Sequence, residues 1–164
     1  MEMIVCVDLN WGIGSENNLL FRLKTDMEFF KRFTEQKTVL MGRETYESLS
    51  VKPLPNRYNV VLSSTQKYTS IRNLEYVTSI NKAIEKYNNI VCIGGSSVYE
   101  QCLKYCDIIY VTKVFHCGSN VDSYFPNIDE MKEWEKSSES EILAEVDSDG
   151  KEKYFQFIQY IRKK

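Results

Sequence analysis

Three segments of the sequence place phosphate-binding residue types directly after a short apolar run. Residues 41–45 contain a glycine, an arginine and a threonine at the start of a helical pattern, where free N–H groups and the helix dipole favour an anion. Residues 61–65 end in three hydroxyl side chains, and residues 93–99 contain a glycine pair whose lack of Cβ atoms permits close approach of a ligand. Each glycine alone is consistent with a tight turn, but the three segments together predict a nucleotide site.

One carboxylate, Asp26, lies in the first turn of a helical pattern that presents Met27 and Phe30 inward. A carboxylate beside an apolar pocket could bind a cationic or amide-like heterocycle, because such a ligand supplies the donor that a desolvated charge needs. The alternative is that Asp26 only helps Glu28 to neutralise the helix dipole. Thr25 and Glu28 have the spacing of a capping box, which predicts the start of this helix.

The sequence contains no dedicated dinucleotide loop and no convincing metal site. Trp11-Gly12-Ile13-Gly14 matches only half of the Gly-x-Gly-x-x-Gly pattern, and no P-loop occurs, so several strand ends would have to share the nucleotide. The five cysteines are odd in number and without a Cys-x-x-Cys, which predicts reduced, mostly buried thiols. A zinc site would need Cys102, Cys106, His116 and Cys117, of which the last two would point to opposite faces of a strand.

Short runs rich in Val, Ile and Tyr alternate with helical patterns, which is typical of an α/β chain with parallel crossovers. Strands are predicted over residues 3–8, 38–42, 58–63, 74–78, 90–94 and 107–115, and helices over residues 25–34, 43–49, 79–87 and 97–105. In the C-terminal third, residues 137–146 and 153–162 alternate around an Asp-Gly turn, which indicates an antiparallel hairpin. We therefore predict one α/β domain, residues 1–164, with a mostly parallel eight-stranded twisted sheet, four flanking helices and this hairpin at an edge.

Composition narrows the class of function. The chain has 164 residues, of which 43% are apolar, and its 21 basic and 23 acidic residues leave a formal charge of −2. This balance gives no electrostatic footprint for nucleic acid or an anionic membrane. The N-terminus lacks a basic region followed by a signal-length apolar stretch, so we expect a cytoplasmic protein. A small-molecule partner and a monomeric state are the corresponding expectations.

In chain order, the motifs resemble those of dihydrofolate reductase over essentially the whole length. The matching residues are Ile13-Gly14 followed by Glu16-Asn17; Leu23, Asp26, Phe30 and Lys31; Met41-Gly42-Arg43 with Thr45, Glu47 and Ser48; Pro53-Leu54-Pro55 with Arg57 and Asn59; Leu62-Ser63-Ser64; Ile93-Gly94-Gly95 with Val98 and Tyr99; and Asp122 with Phe125-Pro126. The resemblance implies NADPH-dependent reduction of dihydrofolate to tetrahydrofolate, in support of one-carbon metabolism, with antifolates as inhibitors. The hydride would pass from nicotinamide C4 to pterin C6, with protonation at N5.

The resemblance also implies roles for particular residues. Asp26 would bind the pterin 2-amino group and N3 and assist protonation at N5, while Arg57 would bind the α-carboxylate of the glutamate tail. Substrate-binding residues would be Ile4, Val5, Asp26, Met27, Phe30, Leu49, Leu54, Arg57, Ile93, Tyr99 and Thr112. Cofactor-binding residues would be Cys6, Ile13, Gly14, Gly42, Arg43, Thr45, Leu62, Ser63, Ser64, Ile93, Gly94, Gly95, Ser96, Ser97, Val98 and Tyr99. A cis peptide is expected between Gly94 and Gly95, and no metal is expected.

This chain departs from the family pattern at two places. Phe21 stands where a tryptophan is usual and is preceded by Leu20 rather than proline, and Ser97 replaces a basic residue on the phosphate side. Two other functions remain open from the sequence. One is the related pyrimidine reductase of riboflavin synthesis, although the combination of Asp26 and Arg57 matches a pterin and a glutamate tail rather than the substrate of that enzyme. The other is a nucleotide-binding module without catalysis, which would not need Asp26.

Overall fold

The computed structural model describes all 164 residues. Eleven strands occur: β1 (Glu2–Val7), β2 (Gly12–Gly14), β3 (Thr38–Gly42), β4 (Tyr58–Leu62), β5 (Leu74–Val77), β6 (Ile90–Gly94), β7 (Ile108–Val114), β8 (Ser123–Tyr124), β9 (Trp134–Glu139), β10 (Leu143–Val146) and β11 (Glu152–Arg162). The α-helices are α1 (Lys24–Thr34), α2 (Arg43–Ser48), α3 (Ile80–Lys86) and α4 (Ser96–Cys102), with short 3₁₀ turns at Leu103–Tyr105 and Ile128–Glu130. No helix is long and apolar enough to cross a membrane.

The main sheet has the strand order β10-β11-β7-β1-β6-β3-β4-β5, with β9 also paired to β11. All pairs from β7 through β5 are parallel, whereas β11 is antiparallel to its neighbours β7, β9 and β10. Strands β2 and β8 form a separate two-stranded sheet. The mostly parallel sheet with an antiparallel C-terminal hairpin is thus confirmed. Its parallel strands all end at one edge, which is where α/β sheets place their ligands.

The predicted hairpin strand at residues 137–146 is interrupted at its centre. Residues 140–142 separate β9 from β10, and both strands pair with the same side of β11. At the interruption, the Ser140 N–H donates to the Phe157 carbonyl at 2.8 Å, and the Phe157 N–H donates to Ser140 Oγ at 3.0 Å. A side-chain oxygen therefore replaces a backbone acceptor, which lets the strand bulge without leaving the Phe157 N–H unpaired.

Helix α1 begins without the predicted capping box, so that prediction is wrong. Its N-cap residue is Leu23, which has no side-chain acceptor, and the Thr25 N–H instead donates to Glu145 Oε1 on β10 at 3.0 Å. The Thr25 hydroxyl donates to the second oxygen of Glu145. A carboxylate from a distant strand thus supplies the acceptor that the local sequence lacks, and Glu28 remains exposed.

The apolar face of α1 also differs from the prediction. Met27 is 49% exposed, whereas Phe29 and Phe33 stack on each other at 5.8 Å and pack against Tyr110 of β7 and Phe157 of β11. Residues 29 and 33 lie four apart on one side of the helix, roughly opposite Met27. The helix is therefore held to the sheet by its two phenylalanines, which leaves Met27 free to contact a ligand.

The thiols follow the sequence prediction. Cys92, Cys102 and Cys106 are buried in the main apolar core, Cys6 is half-buried, and Cys117 is exposed. All five are free, and no group of three or more His, Cys, Asp or Glu side chains is placed to hold a metal ion.

Candidate active site

An acid cluster, which we define as Asp26, Thr112 and Cys6, joins α1 to two neighbouring strands, with Thr112 buried and the other two side chains half-buried. Cys6 of β1 and Thr112 of β7 are partners in register, so their side chains share a position on the sheet. The Thr112 hydroxyl donates to Asp26 Oδ1 at 2.6 Å, and the Cys6 thiol lies within hydrogen-bonding reach of the same carboxyl. The carboxylate is therefore oriented by the sheet rather than by its own helix.

The environment of Asp26 disfavours its charged form. Burial raises the pKa of the carboxyl above its ordinary value, and the negative charge of Glu145 raises it further, while hydrogen bonds from Thr112 and Cys6 oppose part of this effect. Burial and the Asp26 charge also raise the pKa of the Cys6 thiol, which keeps the thiol protonated as a donor. A carboxyl with a raised pKa that is fixed in a cleft is suited to holding or passing a proton.

A glycine cradle, which we define as Gly42, Gly94 and Gly95, lies at the ends of β3 and β6. A Cβ atom at Gly42 would lie 3.1 Å from Val98 Cγ2, and one at Gly95 would lie 3.3 Å from Thr45 Oγ1. Gly94 has φ +116°, and a Cβ there would lie 3.1 Å from the Tyr99 ring. The Gly94–Gly95 peptide is cis, as the resemblance implied. The three glycines therefore allow the ends of β3 and β6 to pack closely against Thr45, Val98 and Tyr99.

Tyr99 connects the glycine cradle to the acid cluster. Its hydroxyl donates to the Ile4 carbonyl on β1 at 2.8 Å, so α4 is tied to the strand that carries Cys6. Burial raises the pKa of Tyr99, which therefore remains a neutral donor. Because β1 pairs with both β6 and β7, the strand pairing sets the spacing between the two parts of the site, and this bond adds a link from α4 to β1.

At the end of β4, the hydroxyl groups predicted to bind phosphate differ in their surroundings. Ser63 is only 4% exposed, and its Oγ has no hydrogen-bond partner. Ser64 is exposed. An unpaired buried hydroxyl is unfavourable, so Ser63 is a group that a ligand could satisfy. Arg43, the other residue predicted to bind a phosphate, begins α2, is exposed and forms an ion pair with Glu47 at 3.1 Å.

Arg57 is buried between the end of α1 and the start of β4. Its Nε–H donates to the Pro55 carbonyl at 2.8 Å, and one terminal nitrogen donates to Thr34 Oγ1 at 3.1 Å. Burial lowers the pKa of Arg57. The adjoining loop is held by Asn59, which both accepts from and donates to the backbone of Leu54, at 2.9 and 3.0 Å. Two bonds fix the guanidinium, and the remaining N–H groups could meet an anion.

The apolar residues of the predicted pocket divide into two groups. Ile4 and Val5 are buried in β1, while Phe30 is half-buried and Met27 is exposed. The half-buried side chains Leu49, Leu54 and Ile93 pack around one small cluster formed by Val39, Met41, Tyr46, Val61 and Leu74. Two surface cavities of about 610 and 480 Å³ are lined by neither the acid cluster nor the glycine cradle.

The remaining predicted cofactor residues lie partly at the strand ends of the main sheet and partly in the separate two-stranded sheet. Ile13 and Gly14 belong to β2, Leu62 ends β4, and Ser96 and Val98 lie in the first turn of α4. Ser97 is exposed, and its Oγ accepts a hydrogen bond from Gln101 at 3.1 Å. The four residues of the cysteine–histidine alternative are not brought together, because Cys102 and Cys106 lie in the core whereas Cys117 is exposed and His116 Nε2 accepts from the Tyr154 N–H.

Three carboxylates that organise the site were not identified from the sequence. Asp8 is buried and accepts from the N–H groups of Gly12 and Gly118, at 2.7 and 2.9 Å. Asp147 accepts from the Arg22 N–H at 2.7 Å, and Glu145 binds Thr25 as described above. The only sequence signal for Asp8 and Asp147 is their position directly after an apolar strand pattern. Glu145 carries no such signal.

Comparison with known proteins agrees with this geometry. The family model described as dihydrofolate reductase matches residues 1–162. The chain is 32% identical to the dihydrofolate reductase of Bacillus subtilis over 169 residues, covering 99% of this chain and 95% of that one. It is 38% identical to the enzyme of Schistosoma mansoni over 157 residues, covering 83% and 81%.

A solved structure is also similar. The dihydrofolate reductase from Enterococcus faecalis, complexed with NADP(H) and RAB-propyl, superposes with a TM-score of 0.83 at 29% identity, covering 99% of this chain and 96% of that one. The fold, the whole-length family match and the relatives above 30% identity agree. The chain therefore belongs to the dihydrofolate reductase family.

Proposed function

We propose that this protein reduces dihydrofolate to tetrahydrofolate with NADPH. The observation that carries the proposal is the acid cluster, in which a half-buried carboxyl of raised pKa is oriented by Thr112 and lies beside Cys6. A nucleotide-binding module without catalysis would have no use for such a carboxyl, because an unligated buried charge destabilises a fold. Family membership and the NADP(H) complex of the similar Enterococcus faecalis enzyme support the choice of cofactor.

The residues present fit a nicotinamide dinucleotide. The unpaired Ser63 hydroxyl is a buried donor, and the glycine cradle and the Thr45 hydroxyl lie at the neighbouring strand ends. Gly94 to Val98 would hold the pyrophosphate, and Arg43 with Ser64 would contact the 2′-phosphate. Cys6, Ile13 and Tyr99 would border the nicotinamide. When bound, the cofactor supplies the hydride.

On the substrate side, Asp26 would accept hydrogen bonds from the pterin 2-amino group and N3. Thr112 keeps the carboxyl in one orientation, so the second oxygen remains available to the ligand. Arg57 would bind the α-carboxylate of the glutamate tail, for which a guanidinium held by Thr34 and Pro55 is already oriented. Met27, Phe30, Leu49, Leu54 and Ile93 would cover the pterin and benzoyl groups.

Catalysis would then rest mainly on orientation and on the protonation state of Asp26. Holding two reactants in contact can contribute roughly 7–11 kcal/mol to lowering the barrier. Asp26 would hold the pterin in register and favour the protonated form at N5. The raised pKa of Asp26 brings this proton within reach nearer to neutral pH than an ordinary aspartate allows.

The test is an absorbance assay of NADPH oxidation with purified protein. Dihydrofolate should be turned over and should saturate, and Asp26→Asn, which preserves shape and the acceptor for Thr112, should lose most activity. The ribosylaminopyrimidine phosphate that the related riboflavin enzyme reduces should not be turned over. Turnover of that pyrimidine in preference to dihydrofolate, or binding of NADPH without reduction of either compound, would contradict the proposal.

We further propose that the chain acts as a monomeric, single-domain enzyme in the cytoplasm. One main sheet runs from β1 to β11, which supports one folding unit. The near balance of 21 basic and 23 acidic residues favours small-molecule ligands over nucleic acid or anionic membranes. Light scattering after size-exclusion chromatography should give a mass near 19.3 kDa, and a dimer mass would exclude the monomer.

A further inference from the structure

Glu145 contacts the amino end of α1 from the opposite end of the sequence. It lies on β10, at the edge of the sheet, and both of its carboxylate oxygens accept hydrogen bonds from Thr25, which directly precedes Asp26. The Thr25 N–H is one of the first backbone donors of α1, and the N-cap residue Leu23 has no side chain that could accept it. Glu145 is thus the acceptor on which this helix end depends.

From this geometry, and on the basis of the proposed function, we propose that Glu145 is a positioning residue for Asp26. It fixes the first turn of α1 through Thr25 and places a second negative charge close to the carboxyl in the cleft. The two effects act together, because the hydrogen bonds that hold Glu145 at the helix end also hold its charge there.

The electrostatic part of the proposal is consistent with the groups that face Asp26. These are Cys6 from β1, Thr112 from β7, Tyr99 from α4 and Glu145 from β10. Of these, Glu145 is the one whose charge raises the pKa of Asp26. Cys6 and Thr112 act through hydrogen bonds that lower it, and Tyr99 remains neutral. Neutralising Glu145 should therefore make Asp26 easier to ionise.

The decisive variant is Glu145→Gln, whose amide keeps an acceptor for the Thr25 N–H while removing the charge. In the protein without ligands, a ¹³C NMR titration of the Asp26 carboxyl should show a lower pKa than in the parent protein. With NADPH and dihydrofolate, single-turnover hydride transfer at pH 8 should slow by about two- to fivefold and approach the parent rate at pH 5.5. Glu141→Gln, which neutralises an exposed carboxylate near the same edge, should change neither measurement.

Thr25→Val provides a second route should Glu145→Gln fail to fold. This substitution keeps the shape of Thr25 but removes one of the two hydrogen bonds that hold Glu145, so the charge is held less firmly and the Asp26 pKa should fall, by less than in Glu145→Gln. An Asp26 titration that is unchanged in both variants would overturn the proposal. Because the titration requires no ligand, its result is independent of whether the parent protein reduces dihydrofolate.

Discussion

The acid cluster and the glycine cradle differ in how far the chain itself satisfies their polar groups. Around Asp26, each polar side chain already has a partner, since Thr112 donates to Asp26 and Thr25 donates to Glu145. In the region of the cradle, the buried Ser63 hydroxyl has no partner, and Gly94 and Gly95 pack closely against Tyr99 and Thr45. The first region is organised within the chain itself, whereas the second leaves a buried donor that a ligand could satisfy.

This difference has an energetic meaning. A preorganised acid costs stability in the free protein, because burial disfavours its charge, but it requires no rearrangement during reaction. Removing an unpaired hydroxyl such as that of Ser63 should change the stability of the free protein little, but it should weaken the binding of a cofactor that pairs with the hydroxyl. Removing the Asp26 charge should therefore maintain or raise stability while activity falls. Removing the Ser63 hydroxyl should leave the stability of the free protein unchanged or higher while cofactor affinity falls.

The largest effect is expected for Asp26→Asn. At pH 7.5 the variant should lose about 10²- to 10⁴-fold in kcat, because the amide cannot supply the proton that Asp26 favours at N5. The loss should shrink at low pH, where solvent protonates the substrate. A kcat similar to that of the parent protein at pH 7.5 would remove Asp26 from the mechanism.

The same variant tests the stability of the acid cluster. A carboxyl whose folded pKa is raised binds protons more readily in the folded state, so its penalty is absent below the unfolded pKa and grows as pH rises through the folded pKa. The free energy of unfolding of Asp26→Asn should therefore equal or exceed that of the parent at pH 7.5, with the difference declining toward pH 3.5. Urea denaturation at several pH values measures it.

Arg57→Ala should mainly affect substrate binding. The guanidinium is expected to contact the glutamate tail, remote from the reacting carbon, so KM for dihydrofolate should rise about 10- to 100-fold while kcat changes little. Loss of the bonds to Thr34 and Pro55 should also lower the free energy of unfolding by about 1–2 kcal/mol. As a control, the parent protein and the variant should have equal kcat/KM for a pterin that lacks the glutamate tail. Equal loss on both substrates would place Arg57 near the chemistry.

Cofactor selectivity should depend on Arg43. We expect a preference for NADPH over NADH, and Arg43→Ala should reduce the ratio of the two kcat/KM values by about tenfold, since an exposed charge-assisted contact is partly screened. Glu47→Gln should raise the ratio, because it releases Arg43 from its ion pair. Equal kcat/KM for the two cofactors in the parent protein would exclude a 2′-phosphate contact here.

A smaller and more selective effect is expected for Ser63→Ala. The free protein should keep or gain stability, because the hydroxyl has no partner to lose. The Kd for NADPH, measured by fluorescence titration, should rise by about two- to tenfold. Ser64→Ala, which removes an exposed hydroxyl, is the matched comparison. A destabilised free protein with unchanged Kd would show that Ser63 serves the fold.

The smallest effect is expected for Phe21→Trp. Phe21 packs with Leu23, Val114 and Phe155, and the Lys153 ammonium lies 5.9 Å from its ring. An indole N–H would add a donor able to order water near Asp26, so the pH profile of hydride transfer or antifolate affinity should shift while turnover persists. Single-turnover rates from pH 5 to 9 would decide this. Superimposable profiles would mean that the ring only packs.

The sequence determined the elements and the residue types at their ends. Strands β3 and β6 occur over the predicted residues, and β1, β4, β5, β7 and β11 differ from the prediction by at most one residue at each end. The strand predicted over residues 137–146 is divided into β9 and β10, and the short strands β2 and β8 were not predicted. Apolar runs and turn residues are local signals, which explains this agreement. The sequence also predicted which residue types follow each strand, namely hydroxyl side chains after β4 and a glycine pair at the end of β6.

Only the tertiary structure decided how these groups are held. Thr112 and Asp26 are 86 residues apart, Tyr99 and Ile4 are 95 apart, and Thr25 and Glu145 are 120 apart. The capping box failed for the same reason, because Thr25 found its partner on β10 rather than three residues along the helix. Local sequence patterns indicate which face of a segment is buried. The three long-range contacts depend instead on which strands pair and in which register, and local patterns do not specify this.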